Sequence, residues 1–322
     1  MAFKHLVIAL CSALSLQAAA QTGGKNITLI SAFPPGGITD AIARMVSPSL
    51  AKATGQTVIV DNITGASGTI AAAKLFSVPA DGNTLMLVSS SESIMPPLMM
   101  KAAKFKSEDF RLLINGPSVP LAIVARSGLA FNSIEELLAY ARNPANKPLS
   151  YGSLGVGSIA HLAAEHFAAL TGISMTHVPY RGGAPVVNDL LGNNVDLSFF
   201  PFAGGMIQLV ETNKVKMLGL SLSEVLPQYA KYPLASKHPQ LKEFVHISWQ
   251  SLAVPKTTPL PVAEKLAAQL NDIFQSPEMQ AFAAKNGSFV PKALPLAQVE
   301  AQYNAEIART RALAKAINLQ AE

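Results

Sequence analysis

Twice along this chain, short apolar runs rich in β-branched residues alternate with stretches of helical periodicity. No other feature limits the fold as much. In the first series, residues 26–33 read as a strand closed by the turn Pro34-Pro35-Gly36-Gly37. Residues 39–54 follow with Ile42, Met45, Val46 and Leu50 on one helical face, and Gly55 stops the helix. A strand over 57–61, a helix over 69–77 and a strand over 84–89 complete a βαβαβ order, which requires a parallel sheet with right-handed crossovers. The second series has strands predicted at 121–125, 149–153, 174–178, 195–199 and 215–220. Helices are predicted at 133–142, 161–171 and 185–191. Ser133 with Glu136 makes a capping box at the first of these helices. A strand over 249–254 returns toward the first half, and helices at 261–275, 277–286 and 296–317 close the chain.

The pattern therefore predicts an α/β protein with two halves, crossed by the chain near 120–126 and 249–255: a hinged clam with a cleft between two sheets. The 322 residues suit two domains, and with 49% apolar and 14% charged residues each can build a core. Residues 1–20 read as a signal peptide. Lys4 and His5 precede an apolar run over 6–16, and Ala18-Ala19-Ala20 offers a small-x-small cleavage site. The apolar run is shorter than the ~20 residues a membrane span needs. Cys11 is the only cysteine, and Leu10 stands where a lipoprotein signal wants a small residue. A mature chain without cysteine has no disulfide and no thiolate metal ligand. Loss of Lys4 lowers the formal charge from +5 to +4, a mild excess that fits anionic ligands. No run of five basic residues occurs, so nucleic acid is not an expected partner. A monomer is expected, with no cofactor, no metal and no catalytic residues.

In open α/β sheets ligands bind beyond the carboxyl ends of the strands. Two loops there suit an anion. The first is 33–40, where Phe33, Gly36, Gly37 and Thr39 lead into a helix start that offers unpaired N–H groups and a positive dipole end. Asp40 is a poor direct partner for an anion and instead caps the helix or fixes the loop. The second is 153–158, where Ser153, Gly157 and Ser158 precede His161 one turn into the next helix. Its glycine spacing is not that of a dinucleotide fingerprint, and no Gly-Lys-Ser/Thr follows. A dicarboxylate could bridge the two. A lesser loop holds Ser89 and Ser90. Structural readings stand beside each: a plain strand-to-helix turn at 33–40, a backbone-bonded His161, a polar loop at Ser89.

At these residues the sequence resembles the tripartite tricarboxylate transporter receptors, the Bug-type solute-binding proteins. Phe33-Pro34-Pro35-Gly36-Gly37 with Asp40, Ala43 and Arg44 looks like their first loop. Gly55 through Asn62, Gly65-Ala66-Ser67-Gly68 and Pro79 through Leu85 look like their next stretches. Tyr151-Gly152-Ser153 through His161-Leu162-Ala163 looks like their second loop, and His177 through Gly183 with Asp189 through Gly192 completes the pattern. The resemblance implies a two-lobed periplasmic-binding-protein fold (Venus flytrap, type II) with two hinge strands: a first lobe of 21–123 plus 252–322 and a second of 124–251. It implies capture of a small carboxylate (a di- or tricarboxylate or an aromatic acid) by lobe closure, and delivery to membrane transporter subunits of the tripartite tricarboxylate type. The chain departs from the family at Ile63-Thr64, at 199–202 and over 221–244. At 199–202 an aromatic cluster stands where an Asp is common, and Phe200 would suit an apolar acid; core packing is the competing role. Two other classes stay open: an exported hydrolase using Ser158 and His161, although no G-x-S-x-G elbow occurs, and a receptor serving signalling rather than uptake.

Overall fold

The computed structural model describes residues 25–317 and Leu319. Residues 1–20, read above as a signal peptide, and Cys11 within them lie outside the described residues.

The first series folds into β1 (Ile27–Ser31), α1 (Ile38–Thr54), β2 (Val58–Asn62), α2 (Thr69–Ser77) and β3 (Thr84–Val88). The three strands are parallel, in the order β2-β1-β3. The sheet is extended by β11 (Ser251–Pro255), antiparallel to β3, and then by β4 (Phe110–Leu112). Successive residues of one strand feed opposite faces. Leu29 and Leu85 pack beneath α1 and α9 (Leu260–Phe274) with Ile42, Val46 and Leu270. Ile30 and Met86 pack on the other face with Ala71, Leu75, Val299 and Tyr303. Burial on both faces is why these strands read as continuous apolar runs rather than as alternation.

The second sheet holds β5 (Ser118–Arg126), β6 (Leu149–Ser153), β7 (Met175–Pro179), β8 (Leu197–Pro201), β9 (Val215–Leu220) and β10 (Ile247–Trp249). Strands β7, β6 and β8 are parallel, β5 is antiparallel to β8, and β9 and β10 pair along β5. Its helices are α5 (Ile134–Arg142), α6 (Ile159–Thr171), α7 (Gly183–Leu191) and α8 (Gly205–Glu211). Phe199 is fully buried against Phe167 and Phe244, and Phe202 is fully buried in the core on the opposite face. Each contributes about 1.5–3 kcal/mol of hydrophobic stabilisation. Core packing thus takes two of the three phenylalanines at 199–202, and only Phe200 stays half-exposed.

The passages between the sheets differ from expectation. The first runs over 113–117, upstream of 120–126, because β5 pairs within the second sheet along its whole length. The expected single strand over 249–254 is broken at Gln250: β10 joins the second sheet and β11 the first. A third link was not foreseen. Residues 286–289, between α10 (Pro277–Lys285) and α11 (Leu296–Ala316), bind the second lobe. Ser118 and Phe289 exchange backbone hydrogen bonds of 2.8 and 3.0 Å, and Gly204 N–H donates to Asn286 O at 3.0 Å. Such a link is invisible to periodicity because its hydrogen bonds form with residues distant in sequence. Two short helices were also missed, α3 (Ser90–Ser93) and α4 (Met95–Met99). Met95 and Met99 of α4 enter the core of the second lobe. At α5 the cap is offset: Ser133 Oγ accepts the Glu136 N–H, but the Glu136 carboxylate takes the N–H of Asn132 rather than that of Ser133.

Candidate ligand-binding site

The carboxyl ends of β1 and β6 each run through a glycine-rich loop into a helix, and the two helix starts are built differently. Residues 34–38 are exposed, while Thr39 and Asp40 are buried beneath them. Gly36 has φ 88°, a left-handed conformation that glycine adopts without penalty. Gly37 is the N-cap of α1, and no side chain among the described residues caps the helix. The first-turn N–H groups of an α-helix have no partner within the helix, so this start keeps its anion-binding capacity.

Asp40 holds the loop from below. Its carboxylate accepts the Gly36 N–H at 3.0 Å, Arg44 Nε at 2.9 Å and the Asn62 amide at 3.1 Å. Asn62 also donates to the Phe33 carbonyl at 3.0 Å, so the end of β2 anchors both ends of the loop. The Arg44 guanidinium, helped by Gly36 and Asn62, holds the Asp40 carboxyl down to about 2. Asp40 is thus a loop-fixing residue. Asn62 and Arg44, present in the sequence motif, serve the same network.

The second helix start is capped internally. Ser158 Oγ accepts the backbone N–H of His161 at 3.2 Å. The Gly157 N–H donates to His161 Nδ1 at 3.3 Å, and the Ser158 N–H to Gly155 O at 3.1 Å. Ser153 is fully buried; its Oγ accepts the Gly155 N–H at 3.2 Å and lies 3.1 Å from Gly155 O and 2.7 Å from His177 Nε2. His177 stacks between Tyr151 and His161, at ring separations of 4.8 and 4.0 Å. Burial, with the His161 ring beside it, pulls the His177 imidazole down to about 4. These contacts make Ser158 the helix cap of α6. His177 was missed as a site residue, although its register opposite Tyr151 in β7 places it beside the Ser153 loop.

The third loop is not a simple polar loop. Ser89 is the N-cap of α3, its Oγ accepting the Ser91 N–H at 3.1 Å while the buried Glu92 carboxylate takes the Ser89 N–H. The Ser90 hydroxyl is buried, with no hydrogen-bond partner among the described residues. Gly68, at φ 84°, lies so close that a Cβ there would come within 2.7 Å of Glu92 Cγ. Two contacts then cross between the lobes: Ser67 Oγ donates to Val156 O, and the Ile159 N–H donates to Ser91 Oγ, both at 3.4 Å. Phe200 sits beside the start of α7, its ring edge within 2.9 Å of the position a Cβ on Gly183 would take.

The model of the tripartite tricarboxylate transporter family receptor matches residues 42–319. A UPF0065 protein from the tcbD-tcbE intergenic region of Pseudomonas sp. strain P51 is 32% identical over 79% of this chain and 75% of its own length. Protein BugT of Bordetella pertussis is 31% identical over 82% of this chain and 81% of its own. Among solved structures, R. palustris Rpa4515 with adipate superposes with a TM-score of 0.82 and 27% identity, covering 92% of this chain and 98% of that one. The periplasmic binding protein BugD superposes at 0.78 with 26% identity, covering 92% and 99%. Fold, motifs and relatives agree: this chain belongs to the tripartite tricarboxylate transporter receptor family, whose members are periplasmic substrate-binding receptors.

Proposed function

We propose that this protein is an exported receptor that captures a small dicarboxylate between its lobes and delivers it to membrane subunits of a tripartite tricarboxylate transporter. Residues 1–20 serve as its signal peptide. The observation that carries this reading is the uncapped start of α1, presented on a loop that Asp40 and Asn62 hold rigid. A ligand carboxylate there supplies the acceptor that no side chain provides, and a rigid loop loses little entropy when it binds. Phe33, Gly36, Gly37 and Thr39 form this half of the site. Ser153, Gly157, Ser158 and His161 form the facing half, and Ser89 and Ser90 border it. Phe200 lines the distal end and favours ligands with an apolar middle section, as in adipate, the ligand of the R. palustris relative. A ligand touching both lobes favours their closed arrangement by its differential affinity.

Calorimetric titration with adipate, a tricarboxylate and the neutral diamide of adipate tests this. Saturable binding of the acids and none of the diamide is expected, with a ligand at 100 times its Kd adding about 2.7 kcal/mol of stability. Equal binding of the diamide would remove the carboxylate from the recognition.

A further inference from the structure

A second cavity, not lined by the glycine loops, opens elsewhere in the molecule. That cavity, of about 500 Å³, lies beside the passages between the sheets. Its walls come from β4, the 113–117 passage, β10, the link that follows residue 286, and α11. A volume of this size is typical of small-molecule sites. Two features define what it would hold.

The first is its shape-selective wall. Trp249, Tyr303 and Phe289 line it together with Leu112 and Ile247. Trp249 and Tyr303 meet edge to face at 6.2 Å, leaving aromatic surface toward the cavity. The second is charge. Arg309 at the rim is already matched by Glu306, with two contacts of 2.9 Å. Lys292, also lining the cavity, is exposed and among the described residues has no ion-pair or hydrogen-bond partner. One uncompensated positive charge therefore remains.

From these we infer a second ligand site, separate from the glycine loops, that takes a small aromatic carboxylate. The ring packs against Trp249 and Tyr303, and the carboxylate faces Lys292. The inference does not rest on the dicarboxylate reading, because none of the residues assigned to that site lines this cavity.

Trp249 is the chain's only tryptophan, so its indole N–H gives a single resonance in the 15N NMR spectrum of the labelled protein. We would titrate 4-hydroxybenzoate with and without saturating adipate, following that resonance. A saturable shift in both titrations is expected. Lys292→Glu should weaken it about tenfold or more, the loss of one charge-assisted contact. Ile247→Phe, which fills the cavity, should abolish it. Adipate binding, measured by calorimetry, should be unchanged in both variants. Lys292 is exposed, so its variant tests the site even if Ile247→Phe folds poorly. The inference is overturned if the indole resonance stays unmoved at millimolar 4-hydroxybenzoate, if adipate displaces the aromatic acid, or if Lys292→Glu binds it as tightly as the parent. Failure of adipate to bind, with the variant-sensitive indole shift intact, would remove the dicarboxylate reading and leave this one standing.

Discussion

The two glycine-rich helix starts look alike in sequence and differ in how their amides are used. At α1 the N-cap is Gly37, with no side-chain acceptor, and the surrounding hydrogen bonds lie below the loop on Asp40 and Asn62. At α6 the N–H groups of Gly155, Gly157, Ser158 and His161 are taken by Ser153, His161, Gly155 and Ser158 within the same loop. A helix start binds an external anion well only if its own side chains have not occupied it. On the proposed reading, α1 supplies the main electrostatic hold on a carboxylate. The α6 loop supplies a preshaped surface, and the hydroxyl proton of Ser158 remains available to a ligand.

The sharpest way to break this comparison is to give α1 the cap it lacks. Gly37 has extended backbone (φ −79°, ψ 171°), and a Cβ there would meet only Pro34 O, at 3.6 Å. Gly37→Asp should therefore fold, keep or slightly raise Tm by capping α1, and lower adipate affinity about 100-fold by occupying and repelling at the same amides. Unchanged affinity in calorimetry would move the anion to the other helix. Asp40→Ala comes next. It frees Gly36, Arg44 and Asn62, and adipate affinity should fall about tenfold because the loop must then be ordered on binding. If the loop instead ordered itself without Asp40, affinity would hold.

Acid should separate the loops further. The Asp40 carboxyl lies near 2 in the folded protein against an ordinary 3.8, so its contribution is complete above about pH 4 and is lost as pH falls toward 2. The His177 imidazole lies near 4 against 6.5, because the folded state favours the neutral ring; its contribution is complete above about 6.5 and is lost as pH falls toward 4. Denaturant melts across this range should show the gap between wild type and His177→Gln changing in the upper window, and the gap between wild type and Asp40→Asn only in the lower. Coincident windows would mean that the two groups do not titrate apart in the folded protein.

Among the serines, Ser153→Ala should destabilise the protein by about 1–3 kcal/mol, because it leaves the half-buried Gly155 N–H and His177 without their shared partner. Ser158→Ala should cost about 1 kcal/mol, the usual loss for an N-cap serine. A larger loss at Ser158 than at Ser153 would mean that the cap, and not the His177 contact, holds the second loop.

Much of the fold was legible. The helices over 69–77 and the strands over 149–153 and 215–220 have the bounds that periodicity predicted, and Gly55 ends α1 at φ 72°. Strands buried on both faces and helices with one apolar stripe each carry their own local pattern. The passages were read less well. Residues 247–255 read as one continuous strand of apolar and small polar residues, and nothing local marks Gln250 as the point where the run changes sheets. The candidate site followed the same division. The strand-to-helix junctions that carry both loops were legible in the sequence. The division of labour between Ser158 as cap, Asp40 as loop anchor and His177 as partner of Ser153 was not, because it depends on which side chain reaches which amide.

By itself, then, the sequence determined two α/β halves, the location of two anion-suited helix starts at the carboxyl ends of β1 and β6, and the family motifs that join them. These are properties of short windows, where backbone propensity and hydrophobic spacing act over a few residues. Only the tertiary structure decided that α1 is left uncapped while α6 is not, that Met95 and Met99 of the first lobe enter the core of the second, and that residues 286–289 form a third link beside a cavity lined by Trp249. Each of those depends on contacts between residues far apart in the chain, whose geometry is set by how the sheets and helices pack and not by any segment alone.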